Sequence, residues 1–356
     1  MKKIVFLCLT LMAATVGFAQ QQLATLNHND SITVYYGASA LQQAHAAAVN
    51  GDIITLSPGA FSAVNITKAV TIRGAGMFPD TASGIGSTIL TNNFIITIYD
   101  SLHHLTMEGI YCSGEHMYYS TVYNPQFIKC YFRGINYTTN NTMVNATFIN
   151  CIITNFTNNG NGTTAYARNT MFINSVILGK SDGSDGQWTA NGNNTTLINC
   201  VAKLHYYYPS ELSAIINSIV YYPNVSYSST GYNCFNSIGI NTWDNYNWHN
   251  FNYFNTSNLA YHYLYNYGSF ASVFKNFRGT YDEGITFELL DTVAATCLGN
   301  DGTQVGIYGG AFPFDPQVSG LNIRRLDVAR RTTADGKLPV DIEIVSDEAT
   351  SHEENE

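Results

Sequence analysis

The chain has 356 residues, 45% of them hydrophobic and only 12% charged, and its 25 tyrosines outnumber its 16 lysines and arginines. A disordered chain needs the opposite balance, and a formal net charge of −9 argues against nucleic acid, whose phosphates call for clustered Lys and Arg. Seven acids (Asp341, Glu343, Asp347, Glu348, Glu353, Glu354, Glu356) fall in the last sixteen residues. The body is therefore nearly neutral, and the acidic balance names no partner.

Residues 1–19 read as a secretory signal peptide. Lys2 and Lys3 supply the positive start, Ile4 to Val16 the apolar stretch, and Gly17-Phe18-Ala19 the small residues at positions −3 and −1 before a cut at Gln20. The apolar run is shorter than a bilayer span, and no later stretch approaches ~20 apolar residues, so no transmembrane segment is expected. Export to the cell surface, the periplasm or the medium follows. Cleavage removes Cys8 and leaves Cys112, Cys130, Cys151, Cys200, Cys234 and Cys297, which could pair in an oxidising compartment. Residues 20–30 read as a leader to the first coil.

From residue 31 the chain shows one short helix-forming run, Ala40-Leu41-Gln42-Gln43-Ala44 through Ala48. It is followed by Gly51-Asp52-Ile53-Ile54-Thr55-Leu56-Ser57-Pro58-Gly59-Ala60-Phe61 and Ile66-Thr67-Lys68-Ala69-Val70-Thr71-Ile72-Arg73-Gly74-Ala75-Gly76. Thereafter a pattern repeats: Phe148-Ile149-Asn150-Cys151-Ile152, Phe172-Ile173-Asn174-Ser175-Val176, Leu197-Ile198-Asn199-Cys200-Val201, Ile215-Ile216-Asn217-Ser218-Ile219 and Cys234-Phe235-Asn236-Ser237-Ile238. Phe127-Ile128-Lys129-Cys130-Tyr131 is a sixth copy with Lys in place of Asn. Thr71 to Ala75 and Thr106 to Ile110 look like the same strand with Gly near the Asn position. A period of roughly twenty to twenty-five residues, carried by short β-rich runs, predicts a solenoid of stacked coils.

Stacking at about 4.8 Å puts equivalent residues in columns. Asn150, Asn174, Asn199, Asn217 and Asn236 should ladder their amides along one turn, and Cys130, Cys151, Ser175, Cys200 and Ser218 should line a tight interior corner. Cys130 and Cys151, on neighbouring coils, are either stacked buried thiols or a disulfide.

On these residues, 31 to about 315, the chain resembles the right-handed parallel β-helix proteins of the pectin-lyase-like superfamily. Asp301-Gly302-Thr303-Gln304-Val305-Gly306-Ile307-Tyr308-Gly309-Gly310 resembles the closing coil of such proteins exported by Bacteroidetes-type bacteria. The resemblance implies an all-β fold over residues 31–320, with the short helix as its N-terminal cap. It implies no single activity, because lyases, glycosidases, esterases and non-catalytic surface proteins share this scaffold. Residues 321–345 read as a strand pair or cap around Asp335-Gly336, and residues 346–356 as an acidic disordered tail.

The chemistry is sparse. A lyase on this scaffold needs carboxylates for Ca²⁺ and a base for the proton, and a glycosidase needs two convergent carboxylates. Between residues 81 and 280, Asp182 and Asp185 are the one close carboxylate pair, with Lys180 beside them in a Gly/Ser/Asp stretch typical of a solvated turn. Arg133 and Lys203 share a face three coils apart, roughly 14 Å, too far to act on one bond. His103, His104, Glu108, Glu115 and His116 could suggest a metal, but adjacent strand residues point to opposite faces, so no metal site is expected.

Aromatic density is the stronger feature. Trp243 and Trp248 head a segment with ten aromatics in twenty-five residues, Tyr206 and Tyr207 belong to a second cluster, and Trp188 stands in a long turn. Aromatic faces interleaved with Asn suit the C–H patches and hydroxyls of sugars. The reading is an exported, non-catalytic surface or extracellular protein that contacts glycans and needs no cofactor. Two alternatives stand beside it: a polysaccharide lyase or glycoside hydrolase, with Ca²⁺ only in the lyase case, and a structural adhesin or spacer.

Overall fold

Each apolar run is short because an Asn, a Lys or a Gly in the left-handed backbone region breaks it. Lys129, Asn150, Asn174, Asn199, Asn217 and Asn236 all hold φ between 43° and 53°, and Gly109 holds 64°. Asn tolerates that region better than other side chains, which is why it recurs there. The computed structural model describes residues 22–81, 84–100, 102–118, 122–137, 143–154, 156–158, 167–178, 195–203, 212–221, 234–240, 264–267, 269–282, 284–318, 321–328 and 340–346. The signal-peptide segment, residues 1–19, lies outside them.

The result is nearly all β, a parallel β-solenoid with very little helix. The first sheet has 11 strands. In spatial order its outermost members are β2 (Ser31–Tyr36), β1 (Leu23–His28) and β3 (Ile53–Leu56), followed by Thr71–Arg73, Thr106–Glu108, Gln126–Ile128, Thr147–Ile149, Met171–Ile173, Thr195–Ile198, Leu212–Ile216 and Cys234–Phe235. The second sheet has 12 strands, running from β4 (Gly59–Ser62) at one end to Leu264–Tyr267 at the other, and a third has three short ones. Register is maintained coil after coil: Phe127, Phe148, Phe172, Leu197 and Ile215 lie side by side. All five are buried. Phe148 stacks on Phe127 and on Phe172 with ring centroids 4.7 Å apart in both cases.

At the N-terminal end β1 and β2 form an antiparallel hairpin. Its two-residue turn, Asn29-Asp30, has φ of 48° and 61°, the signature of a type I′ turn whose twist matches the strands. The stretch read as a leader thus supplies a strand of the first sheet from Leu23 onward. Helix α1 (Ala40–Ala47) buries Ala40, Leu41, Ala44 and His45 against this hairpin, β3 and β4. Lys68 ends the helix by donating to the carbonyls of His45, Ala46 and Ala48 at 2.8, 2.8 and 2.6 Å. A cation there also complements the helix dipole.

Burial, reinforced by the Lys68 charge, lowers the pKa of His45 to about 4. The unfolded chain takes up this proton first, near pH 6.5, so the neutral ring stabilises the fold above that pH and the contribution is lost as pH falls towards 4. We expect a loss of up to about 2 kcal/mol across this window. Chemical denaturation at pH 7 and pH 4 checks it, with His45→Gln flattening that part of the profile.

The outward column of the second sheet is as apolar as the interior. Tyr131, Ile152, Val176, Val201, Ile219 and Ile238 align along it. They are buried because residues 270–307 fold over them, with Phe270, Val273, Phe274, Phe277, Phe287, Leu289, Val293 and Ile307 in the same cluster. One flank of the solenoid is therefore closed by the chain itself.

A second compact unit spans residues 317–356. In it Leu321–Val328 and Val340–Ser346 pair antiparallel, Leu321 opposite Ser346 and Val328 opposite Val340. The Asp335-Gly336 turn and the acidic tail from residue 347 lie outside the described residues. No helix among those described is long and apolar enough to cross a membrane.

Candidate functional site

The Asn turn carries two adjacent columns. The first is interior. Cys130, Cys151, Ser175, Cys200, Ser218 and Ser237 are fully buried, and each hydroxyl or thiol donates to the carbonyl two residues earlier, at 2.7–3.4 Å. Where the next coil offers a Ser, its Oγ also accepts a backbone N–H from the preceding coil: Cys151 N donates to Ser175 at 3.1 Å, Cys200 N to Ser218 at 2.9 Å, and Ser218 N to Ser237 at 3.0 Å. A small side chain that both donates and accepts is what the corner requires. That is why Cys and Ser interchange there.

Cys130 and Cys151 are free thiols, as are Cys112, Cys200 and Cys297; the disulfide alternative is not realised. Burial pushes the pKa of Cys130 and Cys200 up to about 12 and raises those of Cys112 and Cys151 as well. We expect these four to resist iodoacetamide at pH 8 in the folded protein and to label fully in denaturant, read by peptide mass spectrometry.

The second column is the Asn side chains, and its partners were not legible in the repeat. The backbone N–H groups of this turn ladder from coil to coil: Lys129 to Ile149, Asn150 to Ile173, Asn174 to Ile198, Asn199 to Ile216 and Asn217 to Phe235. The amides of Asn150, Asn174, Asn199 and Asn217 face a strap formed by residues 298–315. Asn217 Nδ2 donates to Asn300 Oδ1 at 2.8 Å, Asn174 Nδ2 to the carbonyls of Ile307 and Gly309 at 2.8 and 2.7 Å, and Asn150 Nδ2 to Pro313 O at 3.4 Å. Lys129, the odd member of the repeat, extends the row: its Nζ lies 2.8 Å from Asp315. Gly310 lets the strap approach, since a Cβ there would stand 1.7 Å from Asn199 Nδ2. The segment read as a closing coil instead runs lengthwise along the stack.

Replacing Asn174 with Leu should cost about 2–4 kcal/mol, because two strap carbonyls lose their donor and a branched side chain must hold positive φ. Asn174→Gly should recover the backbone part. Urea denaturation of the pair separates the two contributions.

Side-chain amides do ladder, at a different turn. Asn145 Nδ2 donates to Asn124 Oδ1 at 2.9 Å and Asn169 Nδ2 to Asn145 Oδ1 at 3.0 Å, and all three hold positive φ. Each stands six residues before the Cys or Ser of its coil, a spacing that would have revealed them.

Among the described side chains of the histidine and acid group, His103 pairs with Asp100 and Glu108 turns to a different partner. Backbone and side-chain hydrogen bonds from His103, with the Leu102 amide, hold the Asp100 carboxyl well below its usual range. Glu108 pairs with Arg73 at 3.2 Å. Among the described residues no three His, Cys, Asp or Glu gather as a metal site; the side chains of Glu115 and His116 lie outside them. Register puts Arg133 and Lys203 in one column three strands apart.

Lys180, Asp182, Asp185, Trp188, Tyr206, Tyr207, Trp243 and Trp248 also lie outside the described residues. The strands that precede them are described. Val176–Ile177, Val201–Lys203, Ile219–Tyr221 and Ser237–Ile240 are successive neighbours in the second sheet. The three segments carrying these residues leave after the first, second and fourth of those strands. No protein-family model, curated protein or solved structure matches this chain.

Proposed function

We propose that the protein is an exported, non-catalytic right-handed parallel β-helix with pectin-lyase-like architecture, working at the cell surface, in the periplasm or outside the cell and contacting glycans. The observation that carries this reading is the common departure point of the aromatic segments. Trp188, Tyr206, Tyr207, Trp243 and Trp248 follow the first, second and fourth of four successive strands in one sheet. Neighbouring strands lie about 4.8 Å apart, so these segments start within a few sugar lengths of each other. The opposite requirement, a flank free for a groove, is not met where residues 270–307 cover the second sheet.

The experiment is a panel of acidic and neutral polysaccharides, scored for retention of the protein and for unsaturated or reducing-end products. Retention without products is the expected result. Products would establish the lyase or hydrolase reading, for which Lys180, Asp182 and Asp185 are the residues to replace. The absence of both retention and products would overturn the glycan proposal and leave the spacer reading.

A further inference from the structure

The outermost strand of the first sheet has an open side. Among the described residues β2 pairs only with β1. Gly37 N donates to Gln22 O at 2.8 Å, which continues the register of Leu23 opposite Tyr36. Hydrogen-bonded and non-hydrogen-bonded pairs alternate in an antiparallel ladder. Tyr35, Thr33 and Ser31 therefore bond to β1, while the backbone N–H and C=O groups of Ile32, Val34 and Tyr36 point away from it, to the open edge.

The same three residues carry the exposed large apolar side chains of the strand. Ile32 is 67% exposed, Val34 39% and Tyr36 56%, whereas Tyr35 packs against the core on the other face. No residue of Ser-Ile-Thr-Val-Tyr-Tyr carries a charge. Edge strands normally carry a charge, a proline or a bulge to prevent pairing. This one has none of those devices.

We infer that β2 is a homodimerisation edge, at which a second copy of this chain adds its own β2 antiparallel about a two-fold axis through Val34. The strand is self-complementary in that register. Val34 stands opposite its own copy, and Ile32 stands opposite Tyr36 on both sides of the axis. Every edge-pointing backbone group then meets one in the other copy. This apolar row becomes continuous across the seam, with a β-branched residue facing an aromatic in two of three pairs, a favourable cross-strand combination. Asp30, the nearest acid, falls opposite Ala38, so no like charges meet. The first sheet continues from one molecule into the next.

A six-residue edge buries much less than the roughly 1,200–2,000 Å² of a standard interface, so the dimer is weak and is to be sought at tens of micromolar. Sedimentation of the purified protein over a concentration series should show a monomer–dimer equilibrium. Val34→Lys, which sets two lysines against each other at an exposed position, should weaken it at least tenfold with the circular dichroism spectrum unchanged. Val34→Glu should do the same, and mixing the two variants should restore association. Under mild oxidation Val34→Cys should cross-link, since a directly opposed pair lies about 5.5 Å apart at Cα. Thr33→Cys, whose own copy is displaced along the strand, should not. A monomer at every concentration, an association that Val34→Lys leaves intact, or equal cross-linking of the two cysteine variants would each overturn the proposal. So would capture of an unrelated extended peptide by β2 in a chain that stays monomeric.

Discussion

Phe148→Ala should destabilise the solenoid by about 3–5 kcal/mol, the range for deleting a buried phenyl group. The ring is fully buried, stacks on Phe127 and Phe172 at 4.7 Å, and meets the edge of Phe132 at 6.3 Å. Its removal strips two stacked partners of a face and opens a gap that the rigid strand spacing prevents the neighbouring coils from closing. Phe148→Leu keeps most of the volume and should cost less than half as much. Denaturant titration measures both. A Phe148→Ala cost below about 1 kcal/mol would mean that this stack contributes shape but little stability.

The second large effect is on binding. On the proposal that the chain contacts a glycan, substituting Trp243 and Trp248 together with Ala should abolish its retention on that glycan, at least a tenfold loss, while leaving the melting temperature within about a degree. Indole offers the largest stacking face and an N–H donor, so on this proposal the two rings are the principal contacts. Rings that pack against the protein instead would cost about 3–5 kcal/mol each. A large fall in melting temperature would therefore retire the binding assignment. Quenching of tryptophan fluorescence by added acrylamide, with and without the sugar, gives an independent reading of exposure.

The coils were legible because one turn imposes the same demands every time. Positive φ selects Asn, the interior corner selects Cys or Ser, and each strand must offer an inward apolar residue, so five copies align by eye. The strap was not legible because its contacts occur once each. Nothing about Gly310 in the sequence says that it must clear Asn199, and the pairing of Lys129 with Asp315 joins residues 186 apart. One trace was available: Lys129 breaks the Asn column, and a long cation in a turn built for a short amide calls for a distant acid. The apolar outward column of the second sheet was visible too, as Ile152, Val176, Val201 and Ile219 following each Cys or Ser. What covers it was not, since residues 270–297 have no repeat. As for the candidate site, its aromatic density was readable, and the structure adds that the segments follow the first, second and fourth of four successive strands in one sheet.

In a simple solenoid each coil is held only by the two beside it, so the stack can open from one end, a coil at a time. The strap changes that rule. By bonding in turn to Asn217, Asn174, Asn150 and Lys129, it ties together coils that are not neighbours, such as those of Asn217 and Asn150, as well as adjacent ones. Opening the Asn217 coil releases one anchor, but the strap stays fixed to those below, which hold it in place for reclosure. Coils from Lys129 to Asn217 should therefore exchange their amide hydrogens as one cooperative block rather than along a gradient from the end, which hydrogen-exchange mass spectrometry would read. The chain completes that block only when its residues 298–315 have been made, so its last turns are stabilised after all the coils they cross.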